Sequence, residues 1–257
     1  MKVLLTGAAG FLGEKLHLPF LAHGHEVVRT DIAPLSCSEP FVQADLIDPS
    51  AVKAMVNEVD TLVIAHMSPK HETDPALVYR TMGVGTINLF EAALQAGIRK
   101  LCLISSVDAV RGYPPYVRRM RDFAPKADEL YGLGKTSQEQ IAEYYSRKHD
   151  MDVTVLRIGY VIDALTLTNK YDAVEETFAP NMIDRLDVAE ACVRFLERPG
   201  AGYEIYYILG TSQNGKFEVE PTWDALGWQP THLAKKPPVP AVKIKPNPIP
   251  GVAQPAK

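Results

Sequence analysis

The chain has 257 residues, 46% of them apolar, and a formal net charge of −4 at pH 7. This apolar content predicts a globular protein with a substantial core, built as one large α/β domain or as one domain with a small lobe. The negative net charge argues against a broad nucleic-acid-binding surface, so we expect no nucleic-acid partner.

Cysteine usage and hydropathy predict a cytoplasmic protein. Cys37, Cys102 and Cys192 are odd in number, lie far apart and lack the paired spacing of a zinc site, which is typical of reduced thiols. The first apolar segment starts at residue 2, so we expect no signal peptide. No run reaches the ~18 apolar residues of a membrane span, so we expect no membrane partner.

The first strand and the glycines after it predict a dinucleotide site. A strand at Lys2–Thr6 is followed by Gly7, Gly10 and Gly13, and a helical pattern covers residues 10–23. Glycines let backbone N–H groups approach a pyrophosphate, and the positive end of the helix stabilises the negative charge.

A second predicted strand, at residues 26–30, leads into Asp31, where a nucleotide fold carries the acidic residue for the adenine ribose. A carboxylate there accepts hydrogen bonds from both ribose hydroxyls of NAD and repels the extra phosphate of NADP. NAD is therefore the predicted cofactor. NADP is the alternative if Arg29 bends back to supply a cation, and a simple turn aspartate is the structural alternative.

The rest of the chain alternates β-rich runs with helical segments, which predicts a doubly wound parallel sheet. Further strands are predicted at 61–65, 100–105 and 153–160, and further helices at 49–57, 75–96 and 132–149. Later segments predict irregular structure at 163–181, a helix at 183–196, a strand at 203–209 and a short helix at 223–227.

The predicted fold class is α/β, a Rossmann-type doubly wound parallel sheet with a small C-terminal substrate lobe. Residues 1–160 would form the dinucleotide-binding domain, 183–210 would pack back onto it, and 161–182 with 211–234 would form the lobe. Seven prolines after Lys235 exclude a helix or a central strand, so 235–257 is predicted to be an extended tail, or an arm that clasps a neighbouring subunit.

Tyr131 and Lys135 lie four residues apart at the start of a predicted helix and therefore share one face. The pKa of a phenol is about 10, and a nearby ammonium group is expected to lower it toward neutrality. Tyr131 would then exchange a proton with a sugar hydroxyl while a nicotinamide carries hydride. An ordinary solvated helix face is the alternative.

Together, the glycine loop, Asp31 and the Tyr131–Lys135 pair resemble the short-chain dehydrogenase/reductase superfamily, in particular its extended, sugar-modifying branch, the NAD-dependent epimerase/dehydratase family. The resemblance covers approximately residues 1 to 210. Three further segments are similar to this branch, namely Ala44-Asp45-Leu46, the helix from Gly85 to Ala93, and Asp187-Val188-Ala189.

The resemblance implies a set of contacts to NAD, in which Lys135 also binds the nicotinamide ribose. The residues it implies as cofactor-binding are Gly7, Gly10, Phe11, Leu12, Asp31, Ile32, Asp45, Leu46, Ala65, His66, Met67, Ser105, Tyr131, Lys135 and Ile158.

Two positions depart from the family pattern. The serine or threonine that usually pairs with the tyrosine falls on Val107, or on Ser106 if the turn is one residue longer. We prefer Ser106 because it carries a hydroxyl, although such a residue also serves to cap a strand end. The catalytic set implied by the resemblance is then Tyr131, Lys135 and Ser106. Met82 stands where the family's helix often carries asparagine.

The overall plan, including Arg157-Ile158-Gly159 and residues 203–210 and 226–230, looks like the compact uronate dehydrogenases, which oxidise a free hexuronic acid at its anomeric carbon. By that resemblance, Ser68, Ser106 and Tyr131 contact the sugar.

The charge of the predicted substrate depends on Asp108 and on the cations near it. In the uronate dehydrogenases an asparagine and a histidine follow the serine, and Val107 and Asp108 stand at these positions here. At ~4 Å, Asp108 would repel a substrate carboxylate by about 1 to 4 kcal/mol. A neutral aldose is therefore favoured unless a cation intervenes, and Lys170, near the position of the group's substrate-binding arginine, is the first candidate. The predicted substrate-binding residues are Ser68, Ser106, Asp108, Tyr131 and Lys170.

Other charged residues have two interpretations each. Arg118, Arg119 and Arg121 would reach an anionic group over the site or remain solvated in their loop. His66 and His71 are predicted to be polar loop residues rather than catalytic groups or metal ligands, and no metal is predicted.

The predicted function is NAD-dependent oxidation of an aldose or a uronic acid to a lactone. One alternative is a nucleotide-sugar epimerase or dehydratase, in which an epimerase returns the hydride to the same substrate. A second alternative is a non-catalytic protein of the same fold that senses NAD(P). The resemblance also implies a homodimer formed by the helices around residues 77–96 and 138–147.

Overall fold

The computed structural model describes residues 1–69, 72–175, 179–210 and 215–232. Within them, a seven-stranded parallel sheet has the order β3-β2-β1-β4-β5-β6-β9, which confirms the predicted fold class. Its strands are β1 (Lys2–Thr6), β2 (Glu26–Asp31), β3 (Phe41–Gln43), β4 (Thr61–Ile64), β5 (Lys100–Ser106), β6 (Asp152–Ile158) and β9 (Tyr203–Ile208). A separate parallel pair consists of β7 (Tyr160–Ile162) and β8 (Met182–Asp184).

Helices cover both faces of the sheet. They are α1 (Gly13–Ala22), α2 (Pro49–Val56), α3 (Pro75–Val78), α4 (Gly85–Gln95), α5 (Leu130–His149), α6 (Arg185–Glu197) and α7 (Glu220–Leu226). A π-helical segment, Tyr79–Val84, joins α3 to α4, and a 3-10 turn, Val107–Val110, follows β5.

The apolar strands are buried because each face of the sheet packs on helices. Val3 and Leu5 belong to the core on the side of α1 and α6, whereas Leu4 belongs to the core on the side of α2, α4 and α5. All three are fully buried. This alternation follows the two-residue period of a strand.

Several predicted boundaries were wrong for local reasons. The predicted strand at 153–160 is two strands, because the pairing partner changes at Gly159, whose N–H donates to the carbonyl of Ile208 at 3.0 Å, while that of Tyr160 donates to Asn181 at 2.9 Å. The predicted helix at 183–196 starts only at Arg185, since the Asp184 side chain caps it by accepting from the N–H of Leu186 at 2.7 Å.

Other differences concern loops and an edge strand. The helix predicted at 10–23 begins at Gly13, because residues 7–12 form the glycine loop. The edge strand β3 was not predicted, since three residues carry too little pattern. Residues 75–95 are helical as predicted, with the π-helical segment within them.

A cluster of Asp184, Asp187 and His232 anchors the last described residues to α6. The Asp187 carboxylate accepts hydrogen bonds from the backbone N–H groups of Thr231 at 3.0 Å and His232 at 3.1 Å, and it contacts the His232 ring at 2.7 Å. Both carboxylate oxygens of Asp187 therefore have hydrogen-bond donors.

His71 and the tail predicted at 235–257 lie outside the described residues.

A buried ion pair fixes α5 on the sheet. Glu139 on α5 and Arg157 on β6 approach to 2.8 Å, with side chains 1% and 0% exposed. Arg157 also donates to the carbonyl of Phe123 at 3.1 Å and to the hydroxyl of Tyr207 at 3.3 Å, and the Ser105 hydroxyl donates to Glu139 at 2.5 Å.

Within the described part of the chain, no helix combines the length and apolar character that a bilayer span needs.

We expect Glu139→Gln to destabilise the fold by about 3 to 5 kcal/mol, because it leaves the Arg157 guanidinium buried without a counter-charge. The matched control is Arg118→Gln, which breaks the pair of Arg118 with Glu220, whose side chains are 46% and 51% exposed. That change should cost about 0 to 1 kcal/mol. Urea unfolding measures both, and equal losses would show that burial of the Glu139 pair is unimportant.

Candidate active site

The predicted site residues converge at the carboxyl edge of the central sheet. Gly7 follows β1, Asp31 ends β2, Ala65 follows β4, and Ser106 and Ile158 end β5 and β6. Ligands of open parallel sheets bind outside this edge.

The glycine loop packs closely against the end of β4. Gly7 has φ +71°, and a Cβ atom there would lie 2.9 Å from the carbonyl oxygen of Ala65. A Cβ atom on Gly13 would lie 2.1 Å from the carbonyl oxygen of Gly7. The Gly10 N–H donates to the Gly7 carbonyl at 3.2 Å. The loop is thus a compact backbone cradle at the start of a helix, which fits the pyrophosphate of NAD.

Asp31 and Arg29 lie two residues apart on β2, on the same face of the strand, and both contact the glycine loop. The half-buried Asp31 carboxylate accepts from the N–H groups of Ala9 at 2.9 Å and Ala33 at 3.0 Å, beside the loop. Arg29 is 3% exposed and donates to the carbonyls of Ala8 at 3.1 Å and Gly13 at 3.4 Å. The Arg29 side chain therefore supports the loop from inside the protein, and the alternative in which it binds the phosphate of NADP is wrong.

The other implied cofactor residues surround this loop. Ile32 is 64% exposed directly after Asp31. Asp45 is exposed, and Leu46 is held by Asn88, whose side chain donates to the Leu46 carbonyl at 2.9 Å. Half-buried members of the set are Phe11, Leu12, Ala65 and Met67. Ser68, the proposed sugar contact, is buried just beyond Met67.

Tyr131 lies in the first turn of α5, half-buried, with the hydroxyl of Ser106 near its phenol. Burial raises the pKa of this phenol, and the charge of Asp108 raises it further, while the nearby Ser106 hydroxyl lowers it. The ammonium of Lys170 lies 5.0 Å from the centre of the Tyr131 ring. The expectation that Lys135 lowers the pKa of Tyr131 is therefore wrong for this structure.

Lys135 is 2% exposed, and its ammonium donates to three oxygens of the described residues. These are the carbonyl of Ile104 at 2.8 Å, the side chain of Gln138 at 2.9 Å and the carbonyl of His66 at 3.4 Å. Burial lowers the pKa of Lys135 to about 7, against the opposing charge of Glu139. The side chain is therefore held inside the protein rather than extended over the Tyr131 ring.

Ser106, and not Val107, faces the tyrosine. The Ser106 hydroxyl also accepts from the N–H of Asp108 at 3.1 Å, so it caps the turn as well as contacting Tyr131. Val107 packs in an apolar cluster with Val110 and other residues. The Ser105 side chain is turned toward the Glu139 ion pair.

His66 and Met82 are buried. His66 lies in the loop after β4, as predicted, but is only 5% exposed and has polar partners inside the protein. Burial and the charge of Lys135 lower the pKa of its imidazole to about 3. Met82 is fully buried, and its sulfur lies 2.5 Å from where a Cβ atom on Gly134 would be, so the side chain packs tightly against α5.

The arginines of the loop before α5 have protein partners. Arg119 is 6% exposed and donates to the carbonyls of Val110 at 3.2 Å and Tyr113 at 2.9 Å. Its interpretation as either a ligand or a solvated side chain was therefore wrong. Arg118 pairs with Glu220 at 2.5 Å, and Arg121 lies 5.2 Å from the ring centre of Tyr206.

Asp108 lies between two cations. Its carboxylate is 3.9 Å from the guanidinium of Arg111. Burial raises the pKa of Asp108, whereas Arg111 and Lys170 lower it. The repulsion expected between Asp108 and an anionic sugar is thus opposed by Lys170 near the tyrosine, whereas Arg111 is shared with the carboxylates of Asp128 and Glu129.

Sequence reasoning missed Gln138 and Thr86, which surround Lys135 from the inside. The only sequence signal for Gln138 is its position three residues after Lys135, on the same helix face. Its other partners lie far away in the chain.

Comparisons with known proteins agree with this geometry. Residues 3–208 match the NAD dependent epimerase/dehydratase family. The UDP-glucose 4-epimerase of Mycolicibacterium smegmatis is 33% identical over 59% of this chain, which spans 53% of that relative. The uronate dehydrogenase of Pseudomonas putida is 28% identical over 83% of this chain and 77% of its own.

A solved structure is similar along most of the chain. The crystal structure of glucuronic acid dehydrogenase from Chromohalobacter salexigens matches with a TM-score of 0.74 and 25% identity, over 90% of this chain and 84% of its own. These findings confirm the resemblance inferred from the motifs. The chain belongs to the NAD dependent epimerase/dehydratase family.

Proposed function

We propose that this protein is an NAD-dependent oxidoreductase that oxidises the anomeric hydroxyl of an aldose or a uronic acid to a lactone. The observation that carries the proposal is the proximity of the Ser106 hydroxyl to Tyr131 at the sheet edge that also holds the glycine loop. Similarity to uronate and glucuronic acid dehydrogenases supports the substrate class.

Each site residue has a role in this proposal. Ser106 binds the reacting oxygen, and Tyr131, as phenolate, takes the proton of the anomeric hydroxyl as that carbon becomes a carbonyl. Bound NAD supplies the acceptor for the hydride. Because burial and Asp108 raise the pKa of Tyr131, little of the phenolate is present near neutral pH, and oxidation should accelerate toward alkaline pH as the phenol ionises.

Different cofactor residues bind different parts of the dinucleotide. The loop at Gly7 and Gly10 takes the pyrophosphate, and Asp31 takes the adenine ribose hydroxyls. Lys135 holds the nicotinamide ribose. NAD is favoured over NADP because a carboxylate stands at the ribose and Arg29 is buried behind the loop.

Epimerisation of a nucleotide sugar is the second candidate, and similarity to a UDP-glucose 4-epimerase favours it. The same tyrosine would serve, but the hydride would return to the sugar. The non-catalytic alternative was motivated by Val107 and Met82. It is weaker because Ser106 occupies the position beside Tyr131.

We also propose a homodimer, in a protein of the cytoplasm. Four large side chains are exposed around a groove between the π-helical segment with α4 and the helix α5, namely Tyr79, Val84, Ile87 and Tyr144. A second copy related by a twofold axis would cover them.

The proposed location in the cytoplasm is supported by the free thiols of Cys37, Cys102 and Cys192. Cell fractionation tests this location.

For the reaction, we expect purified protein with NAD to form NADH from at least one sugar in a panel of aldoses, uronic acids and nucleotide sugars. Tyr131→Phe should lower the rate by about 100- to 10,000-fold, since it removes the proton acceptor. It should leave NAD affinity, measured by calorimetry, unchanged. Absorbance of NADH follows the reaction.

Tyr116→Phe is the control, because this tyrosine is 85% exposed and lies outside the site. Interconversion of a nucleotide sugar without net NADH would identify an epimerase. Tight NAD binding without turnover of any sugar, or an undiminished rate in Tyr131→Phe, would contradict the proposed chemistry.

For the substrate charge, we expect Lys170→Met to lower kcat/KM for a uronic acid by about tenfold or more and to change it little for the matching neutral aldose. The reason is that Lys170 supplies the positive charge beside Tyr131. Lys126→Met is the matched control, since its ammonium lies over another ring, 5.2 Å from the centre of Tyr113. Equal losses on both sugars would exclude charge recognition by Lys170.

For the assembly, we expect Ile87→Asp to convert the dimer to a monomer, because a carboxylate at the groove would lose its water on association. Leu21→Asp is the control, since Leu21 is similarly exposed at 40%, against 41% for Ile87, but lies on α1. Light scattering measures the mass, and a wild-type protein that is monomeric at all concentrations would exclude the dimer.

A further inference from the structure

A buried polar chain lies behind Lys135. The Gln138 side chain joins the Lys135 ammonium at 2.9 Å to the Thr86 hydroxyl at 3.0 Å and to the His66 ring at 3.3 Å. Gln138 and Thr86 are fully buried, and His66 is 5% exposed. These side chains come from α5, from α4 and from the end of β4.

Proton counting fixes the orientation of the Gln138 amide. An ammonium group only donates hydrogen bonds, so Gln138 turns its oxygen toward Lys135 and its NH₂ group toward Thr86 and His66. The Thr86 hydroxyl donates to the carbonyl of Met82 at 2.6 Å and can therefore accept from Gln138. While Lys135 is protonated, the reversed amide would place its NH₂ group against the ammonium, so this orientation belongs to the charged form of Lys135.

The His66 ring lies at the end of this polar chain. Its Nδ1 is 3.3 Å from the Thr6 hydroxyl, whose oxygen already accepts from the N–H groups of Ala65 and His66, so that hydroxyl donates to Nδ1. The ring proton is then on Nε2, 3.4 Å from the Thr86 hydroxyl. The low pKa of His66 keeps the ring neutral across the physiological pH range, so it adds no charge beside Lys135.

We propose that Gln138, oriented by Thr86, is a positioning residue that fixes the ammonium of Lys135 for NAD. This inference rests on the proposed role of Lys135 in holding the nicotinamide ribose. The family's asparagine position is filled by Met82, an apolar side chain packed on Gly134, so polar support for the lysine comes from α5 itself.

The three bonds of the Lys135 ammonium differ in length. Those to the Ile104 carbonyl at 2.8 Å and to Gln138 at 2.9 Å are short, whereas the one to the His66 carbonyl is 3.4 Å. The longest bond is the one that a ribose hydroxyl replaces most readily. Gln138 and Ile104 then keep the nitrogen in place during the exchange.

The role of Gln138 can be tested through the pKa of Lys135, which depends on the charges around it. Glu139 raises the pKa of Lys135, Lys170 lowers it, and His66 is neutral. Gln138 contributes a neutral acceptor at 2.9 Å. A carboxylate in its place adds an attractive charge to the ammonium, and a thioether removes the acceptor, so the two changes should move the pKa of Lys135 in opposite directions.

The experiment compares Gln138→Glu, Gln138→Met and Gln95→Glu, the last being an exposed glutamine on α4 that places the same charge away from the site. The pKa of Lys135 is titrated in the free protein by NMR of ¹³C-labelled lysine, with the signal assigned from Lys135→Met. We expect Gln138→Glu to raise this pKa by about 1 to 3. Gln138→Met should lower it and weaken NAD binding at least tenfold by calorimetry.

Gln95→Glu should leave the pKa of Lys135 and the NAD affinity at wild-type values. A pKa that moves in neither Gln138 variant, or NAD affinity within twofold of wild type in Gln138→Met, overturns the proposal. If one variant does not fold, the direction of the shift in the other decides. The titration needs no turnover of substrate. If the proposed sugar oxidation is wrong, NADH formation will be absent while the pKa of Lys135 still shifts as expected in the Gln138 variants.

Discussion

The arrangement of this site depends on the buried ion pair between Glu139 and Arg157. Tyr131, Lys135 and Glu139 follow one another at four-residue intervals, so a helix places them along one face. The pair, at 2.8 Å and almost without solvent exposure, fixes how α5 is rotated and how deeply it lies on β6. Because a buried charge without a partner is costly, other rotations of α5 are strongly disfavoured, and Tyr131 and Lys135 are positioned with it.

Burial is the dominant electrostatic influence on the site. It raises the pKa of Tyr131 and lowers the pKa of Lys135 to about 7, which in both cases favours the neutral form. Lys170, half-buried near the Tyr131 ring, and Asp108, near Arg111, add one charge of each sign on the substrate side. The proposed substrate range, from neutral aldoses to uronic acids, reflects this mixed charge.

Much of the fold and part of the site were predictable from local patterns. Strands such as β1 are continuous apolar runs because both faces are covered, and the glycine loop, Asp31 and the Tyr131–Lys135 spacing are short-range signals. Segments that turn within a few residues were harder. The break at Gly159 depends on contact with Asn181, which is distant in sequence.

The sequence by itself determined the α/β class, the position of the nucleotide loop and the residues available for chemistry, because these depend on spacing along the chain. Only the tertiary structure decided the orientation of the Arg29 side chain behind the loop, the direction of the pKa change at Tyr131, and the contact of Gln138 with His66, which is 72 residues away. Burial and charge separation control these features, and both arise from contacts between segments that the linear order keeps apart.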